Sequence, residues 1–155
     1  MPDKSMIVTS LSFKGQCREA FEFYATVLGG EITAAFPFGD GPPDMPIKPD
    51  YKEWLMHCWL QVGDYALMGA DIPPEFGPNI DKPKNGFDVT FHSKDIEECK
   101  RVFAGLSEGG QVQMAFGETF WSPGYGNFTD KFGIPWMINA VPSADWRPAH
   151  MRGFE

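Results

Sequence analysis

Phe13-Lys14-Gly15-Gln16-Cys17-Arg18-Glu19-Ala20-Phe21-Glu22-Phe23-Tyr24, running on to Leu28-Gly29-Gly30-Glu31-Ile32, has an echo later in the chain. There Phe91-His92-Ser93-Lys94-Asp95-Ile96-Glu97-Glu98-Cys99 leads through Phe103 to Gly109-Gly110-Gln111-Val112. Each copy reads as a strand, a short polar turn, an amphipathic helix, a Gly-Gly stop and a new strand. Cys17, Ala20, Phe21, Tyr24, Val27 and Leu28 recur at spacings of three and four, as one apolar stripe of a helix does; Ile96, Cys99, Phe103 and Leu106 repeat the pattern. Asp95 followed by Glu98 reads as a capping pair, and the Gly-Gly steps offer left-handed exits. A cysteine on each stripe points to packing rather than reactivity. The echo aligns Phe13 with Phe91, Phe23 with Phe103, and Gly29-Gly30 with Gly109-Gly110.

Working outward, each helix is preceded by an alternating strand. In residues 7–13, Leu11 and Phe13 share one face while Ser10 and Ser12 take the other; in 87–92 the faces are Phe87/Val89/Phe91 and Asp88/Thr90/His92. Three more strands follow each helix, at about 31–38, 55–62 and 65–70, and again at 111–116, 126–130 and 134–141. Pro/Gly-rich stretches interrupt the pattern at 38–49 and after residue 71. The expected organisation is one domain over 1–155: module one at about 6–71, a linker at 72–85, module two at 86–141 and a tail at 142–155 that Trp146 tacks down.

Composition limits the function classes. The chain has 155 residues, 43% hydrophobic and 22% charged, as an ordinary globular protein has. A net charge of -8 without Lys/Arg runs argues against nucleic acid and against an anionic membrane surface. No apolar stretch nears the ~20 residues of a membrane span, and Met1-Pro2-Asp3-Lys4 does not read as a signal peptide. Cys17, Cys58 and Cys99 are an odd, scattered set without a CxxC pair, so neither a disulfide framework nor a structural zinc site is expected. A cytoplasmic location with reduced thiols follows. Aromatic residues reach 15%, enough to line a cavity or interface as well as a core.

The closing stretch Glu118-Thr119-Phe120-Trp121-Ser122-Pro123-Gly124-Tyr125-Gly126, with Thr129-Asp130-Lys131-Phe132-Gly133-Ile134-Pro135-Trp136-Met137-Ile138-Asn139, carries a family resemblance. Together with the opening Phe13-x-Gly15-x-Cys17-x-Glu19-Ala20-Phe21 it resembles the PhnB-like, or 3-demethylubiquinone methyltransferase-like, branch of the vicinal-oxygen-chelate superfamily of glyoxalases, bleomycin-resistance proteins and dioxygenases. The resemblance spans about residues 6 to 141. It implies an α+β fold in which two βαβββ modules form curved mixed sheets around a cavity, usually in a homodimer. Methyl transfer is discounted, because the Gly-Gly pairs follow helices instead of opening them as a cofactor-binding turn does.

Metalloenzymes of that superfamily set His, Gln or Glu ligands on the opening and closing strands of each module. By the resemblance these positions fall at Val8 or Ser10, Gly86 or Asp88, and near Leu67 and Met137, where only Asp88 coordinates a hard cation well. No metal or other cofactor is therefore expected, with a divalent cation in a rebuilt site as the alternative. His57 is the leading catalytic candidate. Alternation in Leu55-Met56-His57-Cys58-Trp59-Leu60-Gln61-Val62 places His57, Trp59 and Gln61 opposite the apolar Met56, Cys58, Leu60 and Val62. The competing reading is a structural histidine satisfied within the sheet. Ser10, Trp59, Gln61, Asp88, Glu118, Phe120, Trp121 and Met137 complete the expected ligand-binding set, and Asp130 is read as fixing a turn. His92 is expected at an exposed strand end. The expected function is binding of a small organic ligand by an aromatic cavity. The alternatives are a lyase, isomerase or oxygenase with metal at His57, Asp88 or Glu118, and a phosphonate-metabolism accessory protein, against which the lack of a basic cluster argues.

Overall fold

A computed structural model describes residues 3–153 of the chain, which divides after Lys82 into two compact units. Unit one comprises β1 (Thr9–Phe13), α1 (Cys17–Leu28), β2 (Glu31–Pro37), β3 (Leu55–Val62) and β4 (Tyr65–Asp71). Unit two repeats the order with β5 (Val89–Ser93), α2 (Ile96–Ser107), β6 (Gln111–Gly117), β7 (Tyr125–Thr129) and β8 (Pro135–Ala140). The sheets run β1-β4-β3-β2 and β5-β8-β7-β6. In each, the first strand pairs parallel with the last and the other neighbours are antiparallel. This is an α+β fold of two βαβββ modules with open, mixed sheets. Residues 72–88, between β4 and β5, form no helix or strand.

Each helix buries its stripe on one face of its own sheet. Cys17, Ala20, Phe21 and Tyr24 of α1 are fully enclosed, as are Leu11, Cys58 and Leu60 beneath them. Phe21 lies so close to Gly69 that a Cβ there would come within 2.7 Å of its ring. In α2, Cys99, Val102 and Leu106 are fully buried, and Phe103 lies over Gly126, where a Cβ would approach within 2.6 Å. Phe103 meets Phe128 edge-on, ring centroids 5.1 Å apart. Full burial of one such ring contributes about 1.5–3 kcal/mol.

Ladder positions correct part of the expected alignment. Glu31 faces Gln61 and Gln111 faces Thr129, so the Gly-Gly steps correspond as expected. Following the ladders matches Cys58 with Gly126, Gly69 with Ile138 and Leu11 with Phe91, so Phe13 corresponds to Ser93 rather than Phe91. Likewise the buried stripes match Phe103 with Phe21, not with Phe23. Tyr24 stands five residues before Gly29, whereas Leu106 stands three before Gly109; counting back from the glycines therefore overshoots by two. The opening strands also start two residues later than expected. Extending β5 back to Asp88 would set it opposite Pro135, whose nitrogen has no hydrogen to donate.

The two units tie their helix starts differently. No side chain caps α1 locally. Buried Asp71, at the end of β4, instead accepts from Gly15 N–H at 2.8 Å and Cys17 N–H at 3.0 Å through Oδ1, and from Leu55 N–H at 2.9 Å through Oδ2. In unit two Asp95 caps α2 by accepting from the Glu97 and Glu98 amides, while its own N–H donates to Ser93 Oγ. The carboxylate half of the expected capping pair is thus present, with Ser93 serving the cap's backbone. Ala140 occupies the ladder position of Asp71. Nearby, buried Ser122 ties β7 to the end of β8: its Oγ accepts from Gly124 N–H, and its single proton has the Ala140 carbonyl at 2.7 Å and the Gly124 carbonyl at 2.8 Å as alternative acceptors.

Asp130 fixes the β7–β8 turn, as its Asp-Lys-Phe-Gly context suggests. Its Oδ1 accepts from Phe132 N–H at 2.8 Å and Ile134 N–H at 3.0 Å, and its Oδ2 from Trp136 Nε1–H at 2.9 Å. Trp146 is half-buried, and an ion pair of Arg152 with Glu118 fastens the tail.

Candidate functional site

With one face of each sheet under its helix, the side chains available to a ligand stand on the opposite face. On sheet one the register sets Ser10 opposite Met68, Met68 opposite Trp59, and Trp59 opposite Ala34. Beside that row Phe36 lies opposite His57, and Gln61 lies opposite Ala66. The alternation inferred for β3 is therefore present, although terminal Met56 is exposed rather than covered by α1.

His57, Trp59 and Gln61 share this face but not one state. Trp59 is buried, with 4% of its surface exposed, and its indole N–H donates to Gln61 Oε1 at 2.9 Å. Gln61 Nε2 donates in turn to the Gly63 carbonyl at 2.8 Å. These two side chains satisfy each other and the β3–β4 hairpin. His57 lies between Phe36, stacked with ring centroids 6.1 Å apart and planes 19° from parallel, and Trp59 at 6.5 Å. Its Nε2 is buried and has no hydrogen-bond partner among the described residues. Leaving such an atom unpaired costs about 1–3 kcal/mol, so native proteins seldom do so without a reason. Half-exposed Phe36, not singled out in the sequence, forms the outer wall beside it.

In unit two, Phe120 and Trp121 are exposed and meet edge-on at 4.8 Å; Trp121 meets Tyr125 at 5.2 Å. Glu118 is engaged by Arg152. Met137 lies opposite both Thr90 and Asn127, and Asp88 is exposed just before β5. Tyr125 corresponds by register to His57 of unit one, and its ladder partner Asn139 lies opposite His92, which is exposed as expected. Asn139 and Tyr125 were not among the expected site residues. Their sequence signal was the alternation of 125–129 and 135–140, which groups Tyr125, Asn127 and Thr129 along β7 and Met137 and Asn139 along β8, and the register sets both groups on the same face of the sheet.

The metal positions implied by the resemblance carry the wrong chemistry. Ser10 offers a hydroxyl, Leu67 an alkyl group and Met137 a thioether, leaving Asp88 as the single hard anionic donor of that set. Among the described residues no three His, Cys, Asp or Glu side chains are grouped to hold an ion. The residues do not fit the superfamily's metal.

Cys17 and Cys58 are both fully buried. The Cys58 contact, followed by burial, pushes the Cys17 thiol far up, and the Cys17 thiol in turn draws Cys58 down. Burial also raises Cys99.

Comparison with known proteins agrees with this architecture. The family model of the Glyoxalase/Bleomycin resistance protein/Dioxygenase superfamily matches residues 8–138. Protein YjdN of Escherichia coli (strain K12) is 35% identical over 141 residues, covering 84% of this chain and 92% of its own. The crystal structure of protein PA1353 from Pseudomonas aeruginosa superposes with a TM-score of 0.79 at 40% identity, over 90% of this chain and 100% of that one. The PhnB protein from Bacillus cereus shares the fold, with a TM-score of 0.70 at 23% identity over 88% and 100% of the two chains. Sequence match and fold together establish that the chain belongs to the glyoxalase/bleomycin resistance/dioxygenase superfamily.

Proposed function

We propose that this protein binds a small organic ligand on the helix-free faces of its sheets, in an aromatic setting and without the superfamily's metal. The observation that carries this reading is His57 Nε2, buried and partnerless between Phe36 and Trp59. A ligand hydrogen-bonded there satisfies the imidazole and lays a flat apolar surface on Phe36. In unit one Ser10 adds a hydroxyl to the same face, while Trp59 and Gln61 form its floor. In unit two, taken by itself, Phe120, Trp121 and Met137 are the apolar candidates for ligand contact and Asp88 and Glu118 the charged ones. The bleomycin-resistance members of the superfamily offer the analogy of action by sequestration.

The same reading takes residues 1–155 as one functional domain, acting as a cytoplasmic homodimer. Its support is the family habit, the scattered thiols, and the fact that no helix among the described residues is long and apolar enough to cross a membrane. Sedimentation of the purified protein tests the dimer.

Thermal-shift screening of organic compounds, followed by calorimetry on His57→Ala, tests the function. The substitution is expected to weaken a stabilising ligand at least tenfold while leaving the melting temperature of the free protein unchanged or raised. Unchanged affinity in a folded variant would overturn the assignment.

A further inference from the structure

The chain's asparagines stand in different settings, and Asn85 is placed to react with its own backbone. It precedes Gly86 in the segment 72–88 between β4 and β5, which forms no helix or strand, and both residues are exposed. Among the described residues the Gly86 N–H meets no hydrogen-bond acceptor. Gly86 has a φ of +88°, and a Cβ built on it would meet nothing within 4 Å, so open space surrounds it. The other asparagines lack this combination. Asn79, in the same segment, is followed by β-branched Ile80, whose N–H donates to the Gly77 carbonyl at 3.1 Å. Asn127 lies within β7, before Phe128. Asn139 lies within β8, before Ala140, whose N–H donates to the Gly124 carbonyl at 2.7 Å. Asp40-Gly41 has a sequence suited to the same chemistry, but the Gly41 N–H is taken by the Phe38 carbonyl at 3.0 Å.

We propose that Asn85-Gly86 is a modification site, where Asn85 deamidates spontaneously through a succinimide. The Gly86 nitrogen attacks Asn85 Cγ and closes a five-membered ring as the Cγ–Nδ2 bond breaks. The Gly86 amide proton departs with that nitrogen as ammonia. Water then opens the ring at either carbonyl. Opening at Cγ gives aspartate; opening at the backbone carbonyl gives isoaspartate, in which the main chain runs through Cβ and Cγ. Asparagine and water thus become a carboxylic acid and ammonia, with no oxidant or other co-reactant. Three features favour the step at this position. Glycine carries no Cβ to hinder the approach of its nitrogen, and its backbone is the freest to turn. An N–H without an acceptor gives up no protein hydrogen bond when its nitrogen attacks. A segment outside helix and strand reaches the ring geometry without opening a ladder. Each product adds a negative charge to the net -8, and the isoaspartyl form adds one methylene to the main chain leading into β5.

The test incubates the folded full chain in warm, mildly alkaline oxygen-18 water, beside a synthetic peptide of residues 83–88. Digestion with chymotrypsin in ordinary water at mildly acidic pH, followed by tandem mass spectrometry, assigns each mass change to its residue. Asn85 should lose its amide nitrogen, gain one oxygen-18 and appear as two chromatographically separate isomers. It should do so at least tenfold faster than Asn79, Asn127 or Asn139, and within tenfold of the free peptide. Gly86→Ala should slow the reaction at least tenfold. If the positive φ keeps that variant from folding, Asn85→Gln replaces it, and the oxygen-18 gain at position 85 should vanish over the same period. No gain at Asn85, a rate more than tenfold below that of the peptide, equal rates at Asn79 and Asn85, or an undiminished rate in the variant would overturn the proposal.

Discussion

Replacing Asp71 tests how unit one is held together. Its carboxylate joins the β1–α1 turn, the first residue of α1 and the start of β3 through three backbone amides at 2.8–3.0 Å, and only 1% of its surface is exposed. In Asp71→Asn the remaining carbonyl can still serve Gly15 and Cys17, but the new NH2 group faces the Leu55 N–H, donor against donor. One charge-assisted bond is lost and a buried amide is orphaned, at about 1–3 kcal/mol. Asp71→Ala orphans the Cys17 and Leu55 amides and the partly buried Gly15 amide together, on the order of 3–6 kcal/mol by the same scale. Since domains are stable by about 5–15 kcal/mol, the alanine variant should be marginal. The control is Asp81→Asn, which removes an exposed ion pair to Lys14 and should cost about 0–1 kcal/mol. Urea unfolding followed by circular dichroism supplies all three values. An Asp71→Asn midpoint equal to that of Asp81→Asn would refute the role assigned to the buried carboxylate.

Gly126→Ala should cost about 1–3 kcal/mol in the same assay, because a Cβ there is driven into the Phe103 ring; a neutral effect would mean that α2 packs otherwise. Leu60→Ala, under α1, should cost about 2–5 kcal/mol, and Trp59→Ala about 3–5 kcal/mol, since the indole is buried as well; a Trp59 variant as stable as wild type would show its ring to be a surface feature. Burial keeps the Cys99 proton above the usual thiol value of 9.0, so its stabilisation is complete below about pH 9 and is lost as the pH rises beyond it. The slope is up to about 1.4 kcal/mol per pH unit for each retained proton, and Cys99→Ala should flatten it. Elemental analysis of untagged protein purified without chelators should find far less than one divalent metal per chain; near-stoichiometric metal lost in His57→Ala would replace the metal-free reading with the rebuilt site.

The modular fold was legible because its signals are local. The helix stripes, Asp95 before α2, the Gly-Gly exits and the alternation of β3 all lie within a dozen residues of what they determine. The exact correspondence of the copies was not, because the glycines mark where helices stop rather than how their buried faces are phased. Asp71 was invisible for a different reason: two of its amide partners lie 56 and 54 residues away, brought to it only by the parallel pairing of β1 with β4. His57 emerged from alternation and resemblance, but its lack of a partner at Nε2 emerges only in three dimensions, where Trp59 and Gln61 turn to each other.

Nitrogen-15 NMR of histidine-labelled protein tests most directly the proposal that a ligand hydrogen-bonds to His57 Nε2. The chain has three histidines, His57, His92 and His150, so the spectrum is readily assigned by substitution. On titration with a ligand found by thermal-shift screening, the His57 Nε2 resonance should move strongly as it gains its hydrogen bond, while His150 stays fixed. Saturation of the protein with no change at His57 would contradict the account.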